Sequence, residues 1–130
     1  MTDLDRLGGE QFVSLSTFKR NGDAVATPLW VISDAGQLVF WTPAETWKVK
    51  RARRDPRVTV VPCSRGGTVK PGERTVSGHA QVVEDADEVA RVQALFKRKY
   101  GLQFRVVTSI ERLIRRGRER RVLLRVDLER

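Results

Sequence analysis

The chain has 130 residues, a length that predicts a single domain, residues 1–130, with room for a hydrophobic core. Hydrophobic residues make up 40% of it and come in short runs between turn residues, so the composition is globular and no run is long enough to span a membrane. The N-terminus is polar and acidic, unlike a secretory signal, and the single cysteine excludes an internal disulfide. We therefore expect a cytoplasmic protein.

The formal net charge of +9 predicts an anionic partner: nucleic acid, an anionic membrane surface or an anionic small molecule. More than half of this excess lies in one segment, because Trp47–Arg57 holds six Lys or Arg residues and one Asp. A nucleic-acid-binding domain interleaves aromatic residues with its basic ones, whereas a phosphate site concentrates a few cations at a helix start. This distribution favours an anionic cofactor and makes nucleic acid an unlikely partner.

The first third of the chain predicts a short helix and a β-hairpin. Thr2–Gly9 has leucines on one side and ends in two glycines, as a short helix does. Phe12–Phe18 is rich in aromatic and β-branched residues and predicts a strand. The Asn21-Gly22 pair is a strong hairpin signal, so we expect Ala24–Ile32 to return as one antiparallel strand. Pro28 lies inside this second strand and indicates an edge, a bulge or backbone facing a ligand.

A basic helix between two strands occupies the middle of the chain. The third predicted strand, Leu38–Thr42, leads into a helix over Trp47–Arg54. Asp55-Pro56 ends that helix, because proline disfavours the α conformation in the residue before it. The fourth predicted strand is Arg57–Cys63, and the glycines of Ser64–Gly72 indicate a loop.

The last third predicts a strand, two helices and a final strand. The fifth strand, Arg74–Val83, contains Gly78 as a bulge or point of close approach. Asp85–Tyr100 has apolar residues at helical spacing and predicts a helix, Phe104–Arg116 predicts a second, and Arg121–Leu128 alternates as a strand. The chain is thus mainly β (β+α), and six antiparallel strands close most economically as a small barrel with flanking helices.

The start of the basic helix is the first candidate site. A helix N-terminus offers free N–H groups and the positive end of a dipole, which suits phosphate. Lys48 lies near that end and shares a face with Arg51, while we expect Lys50 to point elsewhere. The alternative is a solvated basic face with no ligand.

Two strand ends are the second candidate. Around Pro28, backbone groups left out of the sheet could meet a flat ring, although an edge strand with a surface tryptophan is the alternative. Trp41 and Thr42 end the third strand ahead of the basic helix. The alternative for Trp41 is a core or interface aromatic, and for Thr42 a loop-entry residue. His79 and Cys63 have no partners at metal-ligand or nucleophile spacing, so we expect no metal site and no covalent catalysis from them.

Four stretches of this sequence resemble the pyridoxamine-5'-phosphate-oxidase-like split β-barrel proteins, which have the FMN-binding split-barrel fold. They are FVSLSTFKRNGDAVATPLWVISDAGQLVFWT, KVKRARRDPRVTVVPCSRGG, SGHAQVVED and FKRKYG. Within that family the sequence is most similar to the deazaflavin (coenzyme F420)-dependent oxidoreductases of the B group, which are common in actinobacteria. The resemblance implies a homodimer with two cofactor sites at the subunit interface.

The resemblance also implies roles for individual residues. It places Lys48 and Arg51 on the cofactor phosphate, with Lys50 a weaker candidate. The backbone of one strand would line the ring system, and the end of the next would lie beside the ribityl chain. These two segments are Thr27, Pro28, Leu29 and Trp30, and Trp41 and Thr42. From charge alone, Arg53, Arg54 and Arg57 could face the oligoglutamate tail of F420.

One position departs from the family pattern. Trp47 stands where the nearest relatives usually have Ser or Gly, and its indole could stack on the cofactor ring, cover the pocket or block it. The family implies hydride transfer from reduced F420 to an electron-poor double bond of a small organic substrate, with the protein holding and orienting the cofactor. The alternatives are an FMN-binding flavoprotein and an F420-binding protein without turnover.

Overall fold

The structure is a computed structural model that describes residues 2–115 and 120–129, with residues 111–115 described by their backbone alone. These residues form four helices and seven strands. In chain order they are α1 (Asp3–Gly8), β1 (Val13–Phe18), β2 (Ala24–Leu29), β3 (Ile32–Asp34), β4 (Gln37–Pro43), α2 (Trp47–Arg54), β5 (Arg57–Pro62), β6 (Val76–Val83), α3 (Ala86–Tyr100), α4 (Leu102–Arg115) and β7 (Arg121–Leu128).

All seven strands belong to one antiparallel sheet in the order β2-β1-β5-β6-β7-β4-β3. The sheet curls around a single core, because inward-facing residues of strands far apart in the sheet pack together, such as Leu15, Val58, Phe40 and Leu124. Leu7 of α1 joins that core. The prediction of a mainly β fold of the split-barrel type, with flanking helices, is confirmed.

The prediction of one strand over Ala24–Ile32 is wrong, which raises the strand count from six to seven. β2 ends at Leu29, where its pairing with β1 stops, and β3 pairs with β4 instead. At the break the Val31 N–H donates to the Tyr100 hydroxyl at 3.0 Å, and the Trp30 ring stacks on the Tyr100 ring at 4.4 Å. Tyr100, at the end of α3, therefore makes the contacts with residues 30 and 31 that β1 would make with a continuous strand.

Other boundaries differ by a few residues. Pro28 lies on the edge strand β2, opposite Ser14 of β1, as the edge prediction requires. β6 begins at Val76 rather than Arg74, and α4 begins at Leu102 rather than Phe104; the predicted helix end at Arg116 lies outside the described residues. In the part of the chain that is described, no helix has the length and apolar character to cross a membrane.

The outer face of the sheet is covered by α3 and α4. Their apolar side chains pack against the outward-facing residues of β4 and β7, such as Phe96 against Val39 and Leu123. A charged network ties α3 to the sheet edge beside this layer. Arg125, which is 8% exposed, donates to Asp34 at 2.8 Å and to Glu88.

The same two carboxylates also bind Arg91 of α3. Arg91 donates to Asp34 at 2.7 Å and to Glu88 at 2.6 Å. The hydrogen bonds from Arg91 and then Arg125 lower the pKa of Asp34 to about 2. A carboxyl group whose pKa is lowered by folding stabilises the protein above its unfolded pKa and loses that contribution as it is protonated.

Substituting Asp34→Asn tests this network. We expect it to lower the free energy of unfolding at neutral pH by about 1.5–3 kcal/mol, because two charge-assisted hydrogen bonds lose their anion. The difference from wild type should shrink as the pH falls from about 4 towards about 2, where the wild-type carboxyl group is protonated as well. Urea denaturation at several pH values measures it. Asp87→Asn, on an exposed α3 residue, is the control, and a difference independent of pH would contradict the assignment.

Gly78 of β6 is a point of close approach, as its position in a predicted strand indicated. A Cβ at this residue would lie 2.6 Å from the Asp127 carbonyl oxygen and 2.9 Å from a Val126 methyl group. Both contacts are with β7, the neighbouring strand. Gly78 therefore allows β6 and β7 to pair closely.

We expect Gly78→Ala to lower the free energy of unfolding by about 1–3 kcal/mol, because the strands must move apart. Urea denaturation measures the loss. Gly66→Ala is the matched control, since a Cβ there would meet no atom within 4 Å. Equal stability of the two variants would show that β6 and β7 do not constrain this position.

Candidate cofactor-binding site

Helix α2 buries one face and presents a basic one. Val49 and Ala52, three residues apart, are buried. Thr46 precedes the helix but donates its hydroxyl to the Pro43 carbonyl oxygen instead of capping the first turn, which contains no acidic residue. The free N–H groups at this end therefore have no side-chain acceptor within α2.

The exposed face of α2 lines an open cleft of about 740 Å³, which we call the cationic cleft. Four of its lining residues lie on α2 at helical spacing, and two come from the chain that follows β1. They are Trp47, Lys50, Arg51 and Arg54, with Lys19 and Arg20. Five of the six are cations and none is an acid, so the cleft suits an anion.

Two arginines anchor α2 to the end of β1. Arg51 donates from Nε to the hydroxyl of Thr17, a buried residue, at 2.8 Å, and Arg54 donates to the Phe18 carbonyl oxygen. These bonds fix the two guanidinium groups at the base of the cationic cleft. Arg51 is partly buried, whereas Lys50 is exposed. The cleft thus combines two arginines held by hydrogen bonds with an exposed lysine, whose side chain is flexible.

Trp47 lies at the mouth of this cleft. Its side chain is 71% exposed, and the Lys50 ammonium group lies 4.8 Å from the centroid of its ring. The indole therefore lines the cationic cleft without filling it. An exposed ring beside cations can stack on a planar ligand and hold a cation on its π face.

The two lysines of α2 are placed differently from the prediction. Lys50 lines the same cleft as Arg51, so the prediction that Lys50 points elsewhere is wrong. Lys48 is partly buried and is not among the residues that line the cleft. Helical spacing alone allowed either pair, and the side on which Val49 and Ala52 are buried decides between them.

The Thr27–Trp30 segment lies away from the cationic cleft. None of its residues lines the cationic cleft. Leu29 packs against the core, and Trp30 stacks on Tyr100 and, at 6.2 Å, on Phe104.

Trp41 and Thr42 also pack against other residues of the chain. Trp41 stacks on Phe104 at 5.2 Å, and the Arg121 guanidinium group lies 4.0 Å from its ring; burial lowers the pKa of Arg121. Thr42 is 1% exposed. Within the described residues, neither the Trp41 Nε1 nor the Thr42 hydroxyl has a hydrogen-bond partner. Trp41 is therefore partly buried and packs against the apolar cluster that α3 and α4 form on the sheet.

Sequence reasoning missed Lys19 and Arg20, which form part of the cationic cleft. The only signal for these two residues in the sequence is that they form a basic pair directly before the Asn-Gly turn. Their position beside α2 follows from the tertiary structure. Two arginines considered for an anionic tail bind acids of this chain instead: Arg53 pairs with Glu84 at 2.9 Å. Arg57 likewise pairs with Asp55, at 2.8 Å.

His79 and Cys63 have ordinary structural surroundings. The His79 side chain is 55% exposed and lies 3.8 Å from Glu129. Burial raises the pKa of the Cys63 thiol, which disfavours the thiolate that a nucleophile requires. Among the residues described, no three His, Cys, Asp or Glu side chains are grouped as a metal site would be.

The curled antiparallel sheet, its outer helices and the cleft beside α2 are features of a split-barrel protein. The chain belongs to the pyridoxamine 5'-phosphate oxidase family, whose model matches residues 4–130. No curated protein matches the sequence.

Solved structures share the fold at low sequence identity. A conserved hypothetical protein from Mycobacterium tuberculosis is 23% identical with a TM-score of 0.71, covering 100% of this chain and 82% of that one. An F420 reductase is 14% identical with a TM-score of 0.65, covering 100% and 96%. A heme storage protein from Vibrio cholerae is 12% identical with a TM-score of 0.68, covering 94% and 84%. This fold therefore serves several cofactors.

Small ionic quenchers of tryptophan fluorescence can test the cationic cleft directly. Iodide should quench far more than caesium, because the cleft attracts anions to the exposed Trp47, and added salt should reduce the difference. Trp47→Phe should remove most of the iodide effect, while Lys50→Gln and Arg51→Gln should weaken it. Lys70→Gln, on an exposed loop residue, should change nothing. Equal quenching by iodide and caesium would contradict the assignment.

Proposed function

We propose that this protein is an F420-dependent oxidoreductase whose cationic cleft holds the cofactor phosphate. The observation that carries the proposal is the cleft itself, in which five cations and an exposed indole meet with no acidic side chain. Family membership supports an oxidoreductase that binds a flavin-type cofactor, and an F420 reductase shares the fold.

The residues present fit a planar cofactor that carries a phosphate. Lys50 and Arg51 can donate charge-assisted hydrogen bonds to phosphate oxygens, and Arg51 is held in place by Thr17. The volume of about 740 Å³ lies within the range of small-molecule sites. The Trp47 ring offers a flat face beside these donors. Lys48 starts the same helix, so it remains a proposed phosphate ligand.

When bound and reduced, F420 supplies a hydride from its deazaflavin C5 to an electron-poor double bond of a small organic substrate. The chain contributes binding and orientation: cations fix the phosphate, and the indole restricts how the ring can lie. The described residues that line the cleft include no His, Asp, Glu, Cys or Tyr side chain. We therefore propose that solvent or a backbone group supplies the proton that completes the reduction.

The cationic cleft is open, and the described residues that line it come from α2 and the chain after β1. We propose that the protein is a homodimer in which the second copy supplies the facing wall. The segments Thr27–Trp30 and Trp41–Thr42 do not reach the cleft of their own protomer, so their proposed role beside the ring and ribityl chain requires the cleft of the partner. We propose that this dimer works in the cytoplasm.

Titrating the purified protein with F420 and, separately, with FMN tests the proposal. We expect F420 to bind with micromolar or tighter affinity and FMN to bind more weakly, followed by oxidation of reduced F420 when an electron-poor alkene is added. Tighter binding of FMN would assign the protein to the FMN-binding flavoproteins. F420 binding without turnover over a substrate screen would indicate a carrier, and heme binding in place of both would overturn the proposal.

Variants of the cleft then identify the phosphate ligands. We expect Arg51→Ala and Lys50→Ala each to weaken F420 binding by about 1.5–3 kcal/mol, the value of one charged hydrogen bond, and Lys48→Ala, at a residue outside the cleft, to weaken it less. A deazaflavin that lacks the phosphate should bind wild type and variants alike, which separates phosphate binding from misfolding. Trp47→Ser should weaken binding if the indole stacks. Unchanged affinity for F420 in a lysine or arginine variant would remove that residue from the phosphate site.

A further inference from the structure

A second groove lies between the first half of α4 and the start of β1, and it shares no lining residue with the cationic cleft. Its volume is about 520 Å³. Leu102, Val106 and Val107 of α4 form one wall, and the aromatic side chains of Phe12 and Trp30 lie across from them. We call this the apolar groove.

The wall formed by α4 is unusually exposed for its chemistry. Leu102 is 75% exposed, Val106 49% and Val107 40%. Leu102 and Val106 are four residues apart and lie on the same side of the helix, and Val107 lines the groove beside them. A contiguous apolar surface of this kind is typical of a binding site rather than of solvent-facing helix.

One cation marks an end of the apolar groove. Arg65 is the only charged side chain among the described residues that line the groove, and its guanidinium carbon lies 5.9 Å from the Phe12 ring centroid. Among the described residues Arg65 makes no ion pair. The first turn of α4, which begins at Leu102 in the same wall, also contains no acidic residue, so its dipole adds to the positive potential.

We propose that the apolar groove binds an amphipathic monocarboxylate, a medium-length apolar chain or ring that ends in one carboxylate. The apolar body would cover the exposed α4 side chains and lie against Phe12 and Trp30. The carboxylate would accept hydrogen bonds from the Arg65 guanidinium group, which is suited to bidentate pairing with a carboxylate. One cation among otherwise uncharged described lining residues fits a single anionic group better than it fits a polyanion.

Decanoate and decanol are the probes, because they share an apolar chain and differ in the carboxylate. We expect decanoate to shift the indole N–H signal of Trp30 in NMR spectra of the full chain and decanol to bind at least 10-fold more weakly. Arg65→Gln should weaken decanoate binding about 10-fold or more and leave decanol unchanged. Val106→Asp, at an exposed position, should weaken the binding of both probes.

Arg105→Gln is the matched control, since it removes an exposed arginine of α4 that does not line the groove. Equal affinity for the two probes, or decanoate binding that Arg65→Gln leaves intact, would overturn the proposal. So would sedimentation showing a dimer that Val106→Asp dissociates and decanoate does not affect, because the occupant would then be a second copy of the chain. The probes are added to protein that carries no F420, so decanoate binding is measured separately from cofactor binding.

Discussion

The C-terminal end of α3 holds together the part of the fold on which both clefts depend. The Lys99 ammonium group donates to three carbonyl oxygens, those of Gly8 at 2.9 Å, Glu10 at 2.6 Å and Val31 at 2.6 Å. Tyr100 binds the Val31 N–H from the next position. Two adjacent side chains therefore join the chain before β1 to the β2–β3 break. Burial lowers the pKa of Lys99. The partly desolvated ammonium group uses its three N–H donors on backbone carbonyl oxygens.

This connection has consequences at each end of the sheet. It fixes the start of β1, whose other end receives Arg51 and Arg54 of α2, so the cationic cleft is built on a strand held at both ends. It also fixes Trp30 beneath α4, which sets the floor of the apolar groove. The same hydrogen bonds thus position the cationic cleft and the apolar groove on different surfaces of the same domain.

Much of the fold follows from local sequence signals. The Asn21-Gly22 hairpin, the stop at Asp55-Pro56 and the close approach at Gly78 each depend on neighbouring residues in the chain, and each was predictable. The break at Trp30 was not, because its partner, Tyr100, is distant in sequence. The candidate site was likewise only partly predictable. Periodicity locates a basic face on the helix. Only packing shows that Lys50 rather than Lys48 lines the cleft and that Lys19 and Arg20 complete it.

The two edge strands of the sheet, β2 and β3, are poor partners for an additional strand. β3 has only three residues, and β2 carries Pro28, which lacks the N–H that an added strand would need. An incoming strand would therefore find few consecutive hydrogen-bonding groups at either edge. An open barrel made in this way resists edge-to-edge aggregation at high concentration, so self-association must use side chains rather than backbone ladders.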